Sequence, residues 1–279
     1  MLCSVFCKNY TITNFNTFAH NKMDIIQAII LIIAGVLVGF INTLAGGGSA
    51  ISLAVLMMMG LSPTMANGTN RIAILLQNIV AIGSFKKQSV LDSRKSLLLS
   101  IPAVIGSLVG AWLAVDIDKD IFKNAIGIIL LIMLFFMFFK PKHWTEENEK
   151  LINKALTWKQ YLLFFAIGIY GGFIQVGVGY FLLASLVLGT GYELVKANAA
   201  KVLIVGMYMA FSIIVYIYHD LVNYIMGFTL AIGTMFGALL ASRMAVKKGA
   251  GFVRWVMVFI IVFTSLHLFG VLDIIPNSH

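Results

Sequence analysis

The chain has 279 residues, 60% of them hydrophobic and only 11% charged. A soluble domain of this length carries roughly a quarter charged residues, so the composition excludes one and indicates an integral membrane protein. The formal net charge of +9 lies in short loops between apolar runs rather than on one polar face, which reads as cytoplasm-facing loops and not as a nucleic-acid surface.

In chain order, residues 1–22 form a polar leader without the apolar stretch and small-residue cleavage site of a signal peptide. Its Cys3 and Cys7 are the only cysteines and give neither a disulfide framework nor a metal site. Met23-Asp24 stands directly before the first apolar run, so translation is expected to begin there, residues 1–22 being untranslated or disordered. Apolar runs follow at about residues 25–44, 96–115, 121–139, 198–218, 222–242 and 252–270, each near the roughly 20 residues that carry a helix across a ~30 Å hydrocarbon core. No alternating ten-residue pattern of a membrane barrel is present, so the spans are helices.

The chain reads as one unit written twice. Gly39 aligns with Gly168, Gly48 with Gly177 and Gly60 with Gly189; after two extra residues in the second copy, Ala66-Asn67 aligns with Ala197-Asn198 and Gly106 with Gly237. The expected divisions are a first membrane repeat at 23–139, a solvated cytoplasmic linker at 140–159 with a short surface helix, and a second repeat at 160–272. Lys86, Lys87, Arg94 and Lys95 mark the first loop as cytoplasmic, and Asp116, Asp118 and Asp120 mark the next as external. In the second copy the signs reverse, with Asp220 where the first basic loop stood and Arg243, Lys247, Lys248 and Arg254 near the counterpart of the acidic turn. The fold class expected is therefore an all-α polytopic membrane protein of two inverted repeats, each a broken half-helix hairpin followed by three transmembrane helices.

The break in each hairpin is a glycine cluster, Gly46-Gly47-Gly48 in "LAGGGSAISL" and Gly177-x-Gly179 in "GGFIQVGVGY". The arms beyond them, about residues 49–60 and 177–189, are too short to cross a bilayer. Unwound backbone at membrane depth occurs where protein buries it or where it lines a cavity. A half-helix starting there aims N–H groups and partial positive charge at its contents, which favours an anion. Beside each half-helix comes a polar segment, "ANGTNR" with Asn67, Thr69, Asn70 and Arg71, and "ANAAK" with Asn198 and Lys201. Arg71 and Lys201 either snorkel to headgroups or face the breaks, where with Asn67, Asn198 and Gln175 they form an anion-binding constellation. Gln77 and Asn78 line that site or bond between helices. Glu193 either couples protons or pairs with Lys196, the pair being favoured, and His219 and His267 are expected to be structural. Gly35-x-x-x-Gly39, Gly106-x-x-x-Gly110 and Gly233-x-x-x-Gly237 are close-packing spacings. The Asn67-Gly68-Thr69 sequon is a false positive if buried.

At these residues the sequence resembles the sulfite exporter TauE/SafE family, also described as 4-toluene sulfonate uptake permease-like. The resemblance rests on "GFINTLAGGGSAISLAVLMMMGLSPTMANGTNRIA", on "GIYGGFIQVGVGYFLLASLVLGTGYELVKANAAKVLI" and on the loop pattern over about residues 25–270. Gly46, Gly47, Gly48, Asn67, Thr69 and Asn70 match the family's first motif; Gly171, Gly172, Gly177, Gly179 and Asn198 match its second. Gln175 stands where glycine is expected, and Ala199-Ala200-Lys201 replaces a Thr/Ser pair. The resemblance implies a secondary permease of the inner membrane for small, often sulfur-containing anions.

No Walker motif is present, so energy is expected from a proton or sodium gradient or from the substrate's own gradient, with no cofactor. An intramembrane enzyme needs a metal-ligand pair such as His-Glu-x-x-His or an activated nucleophile, and the sequence has neither. A noncatalytic membrane subunit or assembly factor is the alternative; it has no use for polar groups at paired breaks.

Overall fold

A computed structural model describes residues 23–114 and 144–268, and among them every regular element is helical. Helix α1 (Ile25–Leu44) starts with a capping box of Asp24 and Gln27 and ends at the first break. Beyond it lie α2 (Ser49–Met58), α3 (Pro63–Lys87), entered through a Ser62 cap with proline in the first turn, and α4 (Ser93–Leu113), capped by Asp92. The short α5 (Glu149–Ile152) lies in the linker. Helix α6 (Trp158–Phe173) opens on a capping box of Thr157 and Gln160 and leads to the second break. The second arm is α7 (Val178–Ser185), continued by a π-helical turn, Leu186–Thr190. Helices α8 (Leu194–Tyr218) and α9 (Tyr224–Leu268) complete the described chain, α9 broken at Gly249.

Helices α1, α4, α8 and α9 are long and apolar enough to cross a membrane. On α1 the residues Ile25, Ile26, Ile29, Ile30, Ile33 and Leu37 are each about half exposed or more, a continuous apolar face suited to hydrocarbon rather than water. The expected spans at 25–44, 96–115 and 198–218 correspond to α1, α4 and α8. Those at 222–242 and 252–270 form the two limbs of α9, joined through Gly249 at φ 76° instead of through a loop. The expected span at 121–139 lies outside the described residues. In the linker, Trp144 is fully buried.

Packing follows the glycines. A Cβ at Gly35 or Gly39 would collide with the α9 backbone at Leu230 or Thr234, and one at Gly106 or Gly110 with the α6 backbone at Phe165 or Ile169. The small residues thus bring α1 onto α9 and α4 onto α6, as van der Waals association in lipid requires. These contacts are reciprocal under the sequence alignment. Gly39 meets Thr234 while its counterpart Gly168 meets Ala103, and Gly106 meets Phe165 while its counterpart Gly237 meets Val36. Helices α3 and α8 also end alike, at aligned Ser89 (φ 57°) and Asp220 (φ 56°). There Val90 N–H bonds Phe85 O at 3.2 Å and Leu221 N–H bonds Tyr216 O at 2.9 Å, the Schellman closure.

Candidate functional site

The two breaks meet. Gly46, at φ 91°, lies so close to Gly179 that a Cβ on either residue would sit 2.3 Å from the other's Cα, which only a pair of glycines permits. Around this contact is a small cavity lined by residues of both halves, with room for roughly one water. Its lining contains four aligned pairs: Gly46 with Gln175, Ser49 with Val178, Ile74 with Val205, and Gln77 with Tyr208. Asn42, Asn78, Gly179 and Lys201 complete it. The cavity therefore lies between segments that align with one another in sequence.

Both cations are buried, Arg71 at 0% and Lys201 at 2% exposure, so neither snorkels. Each grips the end of the other half's first arm. Lys201 Nζ on α8 donates to Asn42 O and Thr43 O on α1, both at 2.9 Å, and to Asn198 Oδ1 at 2.6 Å. Arg71 on α3 donates through Nη2 to Gly172 O on α6 at 2.5 Å and through Nη1 to Ser212 Oγ at 2.7 Å, with its guanidinium 4.2 Å from the Tyr216 ring centroid. Asparagines complete the exchange: Asn67 Nδ2 donates to Phe173 O at 3.0 Å, and the aligned Asn198 Nδ2 to Leu44 O at 3.1 Å. These carbonyls are the negative ends of α1 and α6, where a cation is favoured. Among the described residues no Asp or Glu is buried, so no carboxylate offsets the two charges.

Of the residues expected in the site, Gly46, Gln175, Gly179 and Lys201 line the cavity. Gly47 lies against the Tyr180 hydroxyl, and Gly48 against Val38 O and the Asn42 side chain. Gly177 caps α7 at φ 77°. Asn67, Arg71 and Asn198 hold the arm ends one layer back. Thr69 turns away to accept from Asn223 N–H at 2.9 Å, and Asn70 is buried with no partner on either side-chain atom. At the start of α2, Ser49 N–H is taken by Asn42 Oδ1 at 3.1 Å, so that donor is occupied. Glu193 does not pair with the Lys196 ammonium. Its carboxylate caps α8 by accepting Val195 N–H and Lys196 N–H, leaving Lys196 Nζ to Glu147 at 3.1 Å. The Asn67 sequon is buried.

The sequence reading missed Asn42, Ser49 and Tyr208. The signal lay in the repeat, since Tyr208 aligns with Gln77 and Ser49 follows the glycine triplet.

Broken helices meeting at a small cavity inside an apolar bundle are features of a multi-pass membrane protein of the transporter class. The family model described as sulfite exporter TauE/SafE matches residues 31–268, and the chain belongs to that family. It is similar to a probable membrane transporter protein of Haemophilus influenzae, 29% identical over 231 residues, covering 81% of this chain and 88% of that protein. The probable membrane transporter protein YfcA of Escherichia coli K12 is 26% identical over 237 residues, 83% of this chain and 85% of its own length. The Sinorhizobium probable membrane transporter protein ORF9 is 25% identical over 240 residues, 85% of this chain and 90% of its own. No solved structure matches.

Proposed function

We propose that this protein is a secondary transporter of small anions, sulfite or organic sulfonates being the leading class, across the inner membrane. The observation that carries this reading is the pair of buried cations, Arg71 and Lys201, beside a cavity at the meeting point of two broken helices, with no buried carboxylate among the described residues. Such an interior favours an anion and repels a cation. The family's description as sulfite exporter adds support for sulfur oxyanions.

The cavity has room for about one water, less than a polyatomic anion needs, so it must widen to take one. Transport by alternating access follows if the helices on either side of the cavity rock about it and open it to each side in turn. The driving gradient is the substrate's own or one of protons or sodium.

The test is uptake into proteoliposomes holding the purified full chain, with sulfite, methanesulfonate, thiosulfate and acetate as anions against choline and glycerol. Saturable sulfite uptake inhibited by methanesulfonate is expected. Uptake confined to choline or glycerol would overturn the anion class.

A further inference from the structure

The groups around the cavity fall into two chemical sets. The charged ones are engaged except at Arg71 Nε, which has no partner. Lys201 gives its three ammonium protons to Asn42 O, Thr43 O and Asn198 Oδ1. Arg71 is engaged with Gly172 and Ser212 and does not line the cavity. Of the neutral ones, Asn42, Ser49 and Asn78 are bonded and three others are free. Gln77, Gln175 and Tyr208 line the cavity at 2%, 4% and 0% exposure, and the Oε1 atoms of both glutamines and the Tyr208 hydroxyl have no partner. A buried polar atom without a partner costs about 1–3 kcal/mol, and three on one small cavity mark a place where an occupant completes the bonding.

Gln175 carries a second cost in the same place. Its φ is +65°, a left-handed conformation that costs a side-chain-bearing residue about 1–2 kcal/mol, while the aligned position in the first break is Gly46 at φ 91°. Glycine would relieve the strain, and no hydrogen bond from the Gln175 amide holds the turn. Strain kept at a cavity wall points to the side chain as its reason.

We propose that Gln77, Gln175 and Tyr208 are the uncharged contact set that receives the substrate, with Gln175 setting specificity, and that Arg71 and Lys201 are positioning residues holding the broken helix ends. This rests on the anion reading above. The free glutamine atoms are acceptors, so each amide must turn over to present its Nε2 to an oxyanion; with the Tyr208 hydroxyl that gives three donors. Together they divide among the separate oxygens of a sulfite or sulfonate group, and a monatomic halide has no such oxygens to share. Selection of oxyanion over chloride is therefore their work, and the cations contribute the sign of the field.

The experiment measures sulfite uptake by the reconstituted full chain, wild type against Gln175→Gly and Tyr208→Phe, with chloride as competitor and thermal midpoints taken in parallel. Gln175→Gly is expected to keep or raise the midpoint while raising the sulfite KM about tenfold or more, the loss of one hydrogen bond to a charged ligand, and chloride is expected to compete better. Tyr208→Phe removes one oxygen without disturbing the backbone and is expected to raise KM similarly. Unchanged KM in both variants, on an active wild type, overturns the contact set and leaves Gln175 as filler of the break beside a structural water. No wild-type uptake of sulfite or methanesulfonate overturns the anion reading, and this assignment with it.

Discussion

Lys201 illustrates how a lone buried cation is tolerated in this interior. Its ammonium meets two main-chain carbonyls at the end of α1 and one asparagine oxygen, so helix dipole and hydrogen bonds take the place of a counter-ion. Lys201→Met keeps the packing of the stem but leaves the Asn42 and Thr43 carbonyls without this donor, at a cost of about 2–4 kcal/mol. A clear fall in the thermal unfolding midpoint in detergent is expected, and an unchanged midpoint would show that the carbonyls find another donor. The destination of Lys201 and Arg71 was not legible in the sequence, because a long basic side chain one turn into a membrane helix reaches either the headgroups or the interior. Gln175 was visible as the odd residue of its motif. The backbone twist that makes it informative was not, since φ follows from how the two breaks dock.

At the scale of elements, two glycines with nearly the same φ separate packing from strain. Gly60 ends α2 at φ 92° with nothing within 4 Å of an added Cβ, whereas at Gly46, φ 91°, that atom lands 2.3 Å from Gly179 Cα. Gly60→Ala therefore meets only conformational strain, about 1–2 kcal/mol. Gly46→Ala adds a backbone collision worth about 1–3 kcal/mol more and forces the breaks apart. Thermal midpoints are expected to fall in that order, with transport lost only in Gly46→Ala. A second element-scale effect lies at the start of α8, where burial raises the Glu193 carboxyl pKa above its ordinary value. The folded protein then holds that proton more tightly than the unfolded chain does, so stability falls as pH rises from the ordinary carboxylate range through the raised value. Glu193→Gln is expected to flatten that slope in midpoints measured from about pH 4 to 7. The breaks themselves were readable because clustered glycines in an apolar run have few other uses. The π-turn at Leu186–Thr190 and the single-residue break at Gly249 were not, since neither carries a composition signal distinct from ordinary helix or loop.

At the scale of the molecule, the packing cuts across the two copies. Helix α1 of the first copy lies on α9 of the second, and α4 of the first on α6 of the second, while α3 joins α9 and α8 joins α4. Among the described helices the tight units are thus mixed bundles, α1-α3-α9 and α4-α6-α8, a partnership that hydropathy along one chain does not reveal because lipid-facing and bundle-facing surfaces are both largely apolar. If the proposed rocking occurs, these bundles are the bodies that move, and the seam between them runs through α3 and α8 beside the cavity. Cross-links then separate two cases. Ser84 and Ser242, whose hydroxyls are 2.7 Å apart, join α3 to α9 within one bundle. Asn78 and Gly206 join α3 to α8 across the seam, a Cβ at Gly206 lying 3.3 Å from the Asn78 Cβ, close to the ~3.5–4.5 Å of a disulfide. Oxidised Ser84→Cys/Ser242→Cys is expected to keep at least half of its reduced-state uptake. Oxidised Asn78→Cys/Gly206→Cys is expected to lose at least tenfold against its own reduced form, and equal effects from the two pairs would show that the moving bodies are the sequence repeats and not these bundles.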